Sequence, residues 1–330
     1  MKNEILKAAT LLKQGDVVAI PTETVYGLAA NAFDKNAIRK IFKIKQRPLF
    51  NPLIVHIKSI DDLEKIATNI PPKAEKLAKH FWPGALTLVL QKNDCIPDIV
   101  TAGKNTVGIR VPSHPIALAL LEELNFPLAA PSANPFGYIS PTCATHVQNQ
   151  LGNKVSFILD GGNCNMGIES TIIGFDNGEP ILYRVGAISK ETIEKCIGRI
   201  SIKTNAAVTP DAPGMLSKHY SPKTKFMVSK DINSDIKKYM SQNVAFLLFS
   251  NSEICLTKKF IALSNQKNME EAARNLYAAM HKLDSMKFDL IIAEKFPNHE
   301  IGVSLNDRLY RAQETEFDNN TLNQIKSIPK

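Results

Sequence analysis

The sequence predicts an α/β protein in two domains: a larger one over 1–200, a linker over 201–230 and a smaller Rossmann-like α/β domain over 231–330. Three observations predict this. Short apolar runs alternate with amphipathic helical patterns through the first part; Pro210, Pro213, Gly214 and Pro222 then break every periodicity; and the alternation resumes beyond them. At 330 residues the chain also exceeds what a single core usually holds.

Taken in order, residues 4–14 set Ile5, Ala8, Ala9, Leu11 and Leu12 along one helical stripe, and Gly15 supplies the stop. A buried strand at 17–20 runs into Pro21-Thr-Glu-Thr-Val-Tyr-Gly-Leu28, where hydroxyls, a carboxylate and a phenol crowd a strand end. Ligand groups favour that place in α/β sheets, although a hydroxyl-rich turn can also simply satisfy its own backbone. Asp34 is placed to cap a helix over 35–44 whose Ala37, Ile38, Ile41 and Ile44 face inward, and Arg47-Pro48 ends it. A strand over 53–57 carries His56, and a lone strand histidine is more often structural than catalytic. Helices over 60–67 and 72–80 precede the turn Trp82-Pro83-Gly84, and strands follow at 85–90 and 106–111. Arg110 interrupts the apolar run of the second strand; a charge there needs a partner, and an anionic ligand would supply one.

A helix over 114–124 and a strand over 127–130 lead to Pro131-Ser132-Ala133-Asn134-Pro135. Ser140 with Pro141 then reads as the start of another helix. Strands at 155–160, 171–175 and 181–185, the last bearing Arg184, and a helix over 189–196 complete the first domain. In the second, strands at 244–249 and 288–293 alternate with helices at 270–283 and 303–312, the pattern of parallel pairing.

The net charge of +8 is spread evenly, with 22 basic against 18 acidic residues in 1–200 and 18 against 14 beyond, and no basic tail. The densest cluster, Lys35, Arg39, Lys40, Lys43, Lys45 and Arg47, points to one local anion site rather than a surface that coats nucleic acid. No apolar run reaches the roughly 18 residues of a membrane span, and the first fifteen residues do not read as a signal peptide. A cytoplasmic protein without membrane association is expected. Cys95, Cys143, Cys164, Cys196 and Cys255 are scattered and odd in number, which fits reduced thiols; Cys143-Ala-Thr-His146 has no second pair to complete a zinc site.

Within Lys45-Gln-Arg-Pro-Leu-Phe-Asn-Pro52, Lys45 offers a compact charge and Arg47 a planar fork, which together can grip two oxygens of a polyphosphate. Taken alone, such a triplet is more often solvated surface. Gly162 and Gly167 have the spacing of a phosphate loop, but Ile168 stands where its lysine belongs and 171–175 reads as strand, so a P-loop is excluded. The glycines instead let the backbone turn sharply, approach a ligand and present Ser170.

Pro21-Thr-Glu-Thr-Val-Tyr-Gly27, Lys45-Gln-Arg47, Ser132-Ala-Asn134 and Glu169-Ser-Thr-Ile172, followed by Lys218-His-Tyr-Ser-Pro222, together resemble the signature set of the YrdC-like family of threonylcarbamoyl-AMP synthases, in its long two-domain form. The resemblance implies a twisted open mixed sheet with flanking helices in the first domain. It implies that L-threonine, bicarbonate and ATP give threonylcarbamoyl-adenylate and pyrophosphate, a nucleotidyl transfer that feeds a tRNA threonylcarbamoyl transferase complex, with no stable nucleic-acid binding by this chain. It assigns Lys45 and Arg47 to catalysis, and Arg47, Asn51, Thr106, Ser132, Asn134, Ser140, Arg184 and Tyr220 to ATP, with Tyr220 folding back from the linker as a lid. Threonine falls to Thr24, His56, Arg110, the backbone at Ala130, and Ser170. No protein metal site is implied; Mg2+ is expected through the ATP phosphates, near Ser132 and Asn134. Ser221, where alanine is commoner, and Ala212, where serine often precedes Pro-Gly, depart from the pattern. A non-catalytic RNA-binding module is the competing reading, but Phe42 and Phe50 alone give it few aromatics for base stacking.

Overall fold

The computed structural model describes residues 1–204, 212–215, 219–251 and 259–313. Eleven described strands form the sheet of the first domain. In chain order they are β1 (Val18–Ile20), β2 (Gly27–Asn31), β3 (Ile54–His56), β4 (Ala67–Thr68), β5 (Leu86–Lys92), β6 (Thr106–Arg110), β7 (Leu128–Ala129), β8 (Phe157–Ile158), β9 (Thr171–Asp176), β10 (Glu179–Arg184) and β11 (Ser201–Ile202). Across the sheet the order is β11-β10-β9-β5-β6-β3-β7-β2-β1-β8, with β4 on β5. Pairs β10/β11, β5/β9, β3/β6 and β1/β8 are parallel and the others antiparallel, so the sheet is open and mixed.

Central strands read as unbroken apolar runs because both faces are covered. On β5, Leu86, Leu88 and Leu90 join the main core while Val89 joins a second cluster with Ile54 and Ile172, onto which Ala212 and Met215 of the linker pack. The helix Lys35–Lys45 lays Ala37, Ile38, Ile41 and Phe42 into the main core, and the Asp34 carboxylate caps it by accepting from Asn36 N and Ala37 N. Helices Lys2–Lys13 and Pro115–Glu122 close the other face around Ala8, Leu12, Leu120 and Leu121.

Two local expectations change. Ser140 does not start a helix: helix Ala144–Leu151 begins after Cys143, and Ser140 is fully buried. The backbone there is committed elsewhere, since Tyr26 N donates to Pro141 O at 2.8 Å. The helix expected over 60–67 shrinks to a 3-10 turn, Ile60–Asp62, and one α-turn, Leu63–Ile66, before β4 draws the chain into the sheet.

The second sheet is wholly parallel, in the order β12 (Lys225–Val228), β15 (Leu290–Ala293), β13 (Val244–Leu248), β14 (Phe260–Ala262). Thus β12 falls inside the stretch read as linker. Helices Met269–Ser285 and Ile301–Ala312 bury Leu276, Tyr277, Met280, Leu305 and Leu309 in a cluster that also takes in Val25, Ile139 and Ile168 of the first domain. The two domains share that core.

Candidate active site

Several strands of the large sheet deliver polar side chains to one cleft. Thr22 and Thr24 follow β1, His56 and Arg110 end the parallel pair β3/β6 as register partners, Ala130 to Ser132 follow β7, and Arg184 ends β10. Carboxyl ends of strands gather ligand groups because the chain leaves the sheet there with free backbone and side chains.

One half of the cleft is built around Arg110. Its Nε donates to Gly84 O at 3.0 Å, its Nη1 to Thr24 Oγ1 at 2.9 Å, and its Nη2 lies 2.7 Å from Glu23 Oε1. The charge in the apolar strand is thus met first by a protein carboxylate. A ligand carboxylate in the cleft would have to share this guanidinium with Glu23. Burial pushes the Glu23 carboxyl up, but the Arg110 charge and hydrogen bond outweigh it and the net shift is downward. Burial, reinforced by Arg110, pushes His56 down to about 3, leaving a neutral imidazole whose Nδ1 has no partner. Ser170 Oγ lies 2.8 Å from Thr87 Oγ1.

The other half is cationic. Arg47 is buried, donating through Nη2 to Asn51 Oδ1 at 2.6 Å and Pro52 O at 2.8 Å and through Nε to Asn51 O at 3.1 Å. Asn51, fully buried, therefore orients Arg47. Arg184 donates to Ser170 O from Nε at 3.0 Å and from Nη2 at 2.8 Å, and to Ser170 Oγ at 3.0 Å. Burial lowers the pKa of both arginines, and for Arg47 the nearby Arg184 adds to it. Lys45, two residues before Arg47, is buried behind the cleft: Nζ donates to Ser132 O and Asn134 O, and burial plus the Arg47 charge hold it well below its usual value. Arg47 thus has the Lys45 and Arg184 charges beside it, a crowding of positive charge that a polyanion relieves.

Asn134 Nδ2 is spent on Pro135 O and Tyr138 O while its buried Oδ1 has no partner. Ser132 lines the cleft, and Ser140 Oγ donates to Glu169 Oε1 at 2.6 Å. The linker closes the site with His219 and Tyr220, both buried; Tyr220 adopts φ +63° and its hydroxyl has no partner. Gly214, at φ +85°, has space only for a hydrogen: a Cβ would lie 2.8 Å from Arg184 Cδ.

The structure therefore brings together Thr24, Arg47, His56, Arg110, Ala130, Ser132, Ser170, Arg184 and Tyr220 in one lining, with Lys45, Asn51, Asn134 and Ser140 supporting it. Thr106 is set apart: it is exposed at the start of β6, opposite Gln91, about 13 Å along the strand from Arg110. Glu23, Glu169 and His219 stood inside the motifs without an assigned role. Arg308 and Tyr277, which ion-pair with and hydrogen-bond Glu169 at 2.9 Å, gave no sequence signal, because they sit in second-domain helices.

Comparison with known proteins shows the family. Residues 10–186 match the Sua5/YciO/YrdC family described as "Telomere recombination", and 188–313 match the C-terminal domain of threonylcarbamoyl-AMP synthase. The chain is 40% identical over 314 residues to the threonylcarbamoyl-AMP synthase of Pyrococcus abyssi, covering 92% of each. It is 41% identical over 320 residues to that of Bacillus subtilis, covering 94% of this chain and 92% of the relative. The crystal structure of P. abyssi Sua5 complexed with L-threonine superposes with a TM-score of 0.87 at 40% identity, over 94% of this chain and 96% of that one. Sequence, fold and cleft together establish that this chain belongs to the Sua5/YciO/YrdC family, in the two-domain threonylcarbamoyl-AMP synthase form.

Proposed function

We propose that the protein is an L-threonylcarbamoyladenylate synthase, a nucleotidyltransferase that converts L-threonine, bicarbonate and ATP into threonylcarbamoyl-AMP and pyrophosphate. The observation that carries the reading is the joining, in one cleft, of a carboxylate-type half around Arg110 with a polyanion-type half around Arg47 and Arg184. The relative P. abyssi Sua5, solved in complex with L-threonine, has this fold.

In this reading Arg110 and Thr24 hold the threonine carboxylate, while neutral His56, the Ala130 backbone and Ser170 hold the amine side. The threonine amine adds to bicarbonate with loss of water to give a carbamate. A carbamate oxygen then attacks the α-phosphorus, and the bond to the bridging oxygen breaks with departure of pyrophosphate. Such chemistry asks for alignment and charge neutralisation rather than a covalent nucleophile. Arg47 and Arg184 neutralise charge that develops on the departing pyrophosphate, Asn51 and Lys45 hold Arg47 and the Ser132–Asn134 loop in place, and His219 and Tyr220 exclude water.

Among the described residues no three His, Cys, Asp or Glu side chains are grouped to hold a metal ion. Asn134 Oδ1, buried and without a partner, is the oxygen of this chain that fits a magnesium carried on the ATP phosphates, where the ion would offset phosphate charge. The RNA-binding alternative leaves the buried Arg110, His56 and Ser170 without a task. We place the reaction in the cytoplasm, with the adenylate passing to a tRNA-modifying transferase. Purified protein should release pyrophosphate from ATP only with both threonine and bicarbonate present; release indifferent to threonine would overturn the assignment.

A further inference from the structure

The helix Ile301–Ala312 has an interior face that is far more polar than covering a sheet requires. Ser304, Asn306, Arg308 and Arg311 are all buried, and Arg308 is 0% exposed. A buried charge persists only where something answers it. Arg308 is answered across the domain boundary: Nε donates to Glu169 Oε2 at 2.9 Å and Nη2 to Val185 O at 2.9 Å, while Asp307 takes Nη1 at 2.7 Å. One turn earlier Ser304 Oγ donates to Gly186 O at 2.8 Å. From the helix Met269–Ser285, the Tyr277 hydroxyl sits 2.9 and 3.1 Å from the two Glu169 oxygens. Among the described residues, the Glu169 carboxylate is hydrogen-bonded by Ser140 of the first domain and by Arg308 and Tyr277 of the second, and the first-domain Arg184 adds its charge.

These contacts reach the cleft in two steps. Glu169 precedes Ser170, and Val185 and Gly186 follow Arg184, which donates to both oxygens of Ser170. The two segments are so close that a Cβ on Gly186 would lie 2.4 Å from the Ser170 carbonyl carbon, so neither moves alone. On the linker side, the Arg308 guanidinium lies 5.0 Å from the Tyr220 ring centre, Tyr277 stacks on Tyr220 at 5.7 Å, and Arg311 O accepts from His219 N at 3.0 Å. By contrast, the described partners of Arg110 in the other half of the cleft, Gly84, Thr24 and Glu23, come from the first domain.

We propose that Arg308 and Tyr277 are positioning residues for the nucleotide half of the site: through Glu169, Val185 and the Tyr220 ring they hold Arg184 and Tyr220 in place, so the second domain acts chiefly on ATP binding, while the Arg110 and Thr24 contacts that take the threonine carboxylate stand without it. The inference rests on the synthase reading for its substrates. Without Arg308, Arg184 is left to offset the Glu169 charge, so Glu169 competes with ATP for Arg184. Burial pushes the Glu169 carboxyl up, yet Arg308 and Arg184 bring it net downward, so it is ionised in the intact protein.

The test compares full-length wild type, Arg308→Met, Arg308→Lys, Tyr277→Phe and the double variant Glu169→Gln/Arg308→Met. ATP affinity is measured by calorimetry without threonine, and steady-state pyrophosphate release is measured with each substrate varied. Arg308→Met is expected to weaken ATP binding at least ~10-fold and to lower kcat/KM for ATP ~100-fold, with the KM for threonine within ~3-fold of wild type. Removing both charges should recover at least ~10-fold of that loss, Arg308→Lys should fall between, and Tyr277→Phe should raise the KM for ATP ~3-fold or more. Equal losses for both substrates, a double variant no better than Arg308→Met, or Tyr277→Phe identical to wild type would overturn the proposal. Should Arg308→Met not fold, the double variant and Tyr277→Phe still decide it. ATP calorimetry does not depend on turnover, so a wild type that binds ATP but makes no pyrophosphate would count against the synthase reading and not against this one.

Discussion

Replacing Arg47 by alanine separates a catalytic role from a structural one. In the ligand-free protein the side chain makes three hydrogen bonds, to Asn51 Oδ1, Asn51 O and Pro52 O, and bonds from a charged donor contribute about 1.5–3 kcal/mol each. Against this stand the desolvation of a buried guanidinium, several kcal/mol, and its repulsion with Arg184 and Lys45. The terms oppose, so stability should change by less than about 2 kcal/mol, a shift of under ~8 °C in a domain of this size. In the transition state nothing offsets the loss, because pyrophosphate charge develops where the guanidinium was. Losing one such donor costs about 2.7–4 kcal/mol, or ~10²–10³ in rate. The assay is pyrophosphate release at saturating threonine and bicarbonate with ATP varied, alongside thermal unfolding. A variant within ~3-fold of wild type in kcat/KM, or one whose activity loss only tracks a melting point lowered far beyond ~8 °C, would refute the reasoning.

Three further outcomes follow from the same geometry. Burial pushes His56 and His219 down to about 3 and His281 to about 4, each from 6.5, so unfolding lets all three take up protons between about 4 and 6.5. The unfolded chain then binds more protons in that window, and the melting temperature should fall steadily as pH drops below ~6.5; a flat profile down to pH ~5 would contradict it. Tyr220→Phe removes a buried hydroxyl with no partner, so the ligand-free protein should be as stable or up to ~1 kcal/mol more stable while the KM for ATP rises several-fold; a destabilised variant would show a missing partner. Thr106→Ala should leave all kinetic constants within ~2-fold, since Thr106 is exposed far from the cleft; a ~10-fold weaker ATP KM would return it to the site.

What the sequence made legible was what depends on near neighbours. The Asp34 cap, the Lys35–Lys45 stripe and the continuous apolar strands follow from spacing alone, and the oddity of Arg110 in such a run pointed to the cleft. Spacing could not say which of two adjacent cations faces the ligand. Gln46, in the left-handed region at φ +53°, turns the chain between Lys45 and Arg47, sending the first to loop carbonyls and leaving the second on the cleft. Ser140-Pro141 carries the signature of a helix start, yet pairing of Pro141 O with Tyr26 N wins over local preference. Glu169 with Arg308 and with Tyr277 spans 139 and 108 residues of chain, separations at which no local pattern survives. Thr106 and Arg110 share a strand, but only one end of that strand meets the cleft.

The central claim is that one cleft joins threonine, through a carbamate, to the α-phosphate of ATP. Incubating the protein with ¹³C-bicarbonate, ¹⁵N-threonine and ATP, and recording ¹³C spectra of the adenylate formed, tests that bond directly. The account predicts a labelled carbonyl carbon coupled both to the threonine nitrogen and to the phosphorus of AMP. An adenylate without the labelled carbon, formed by attack of the threonine carboxylate itself, would contradict it.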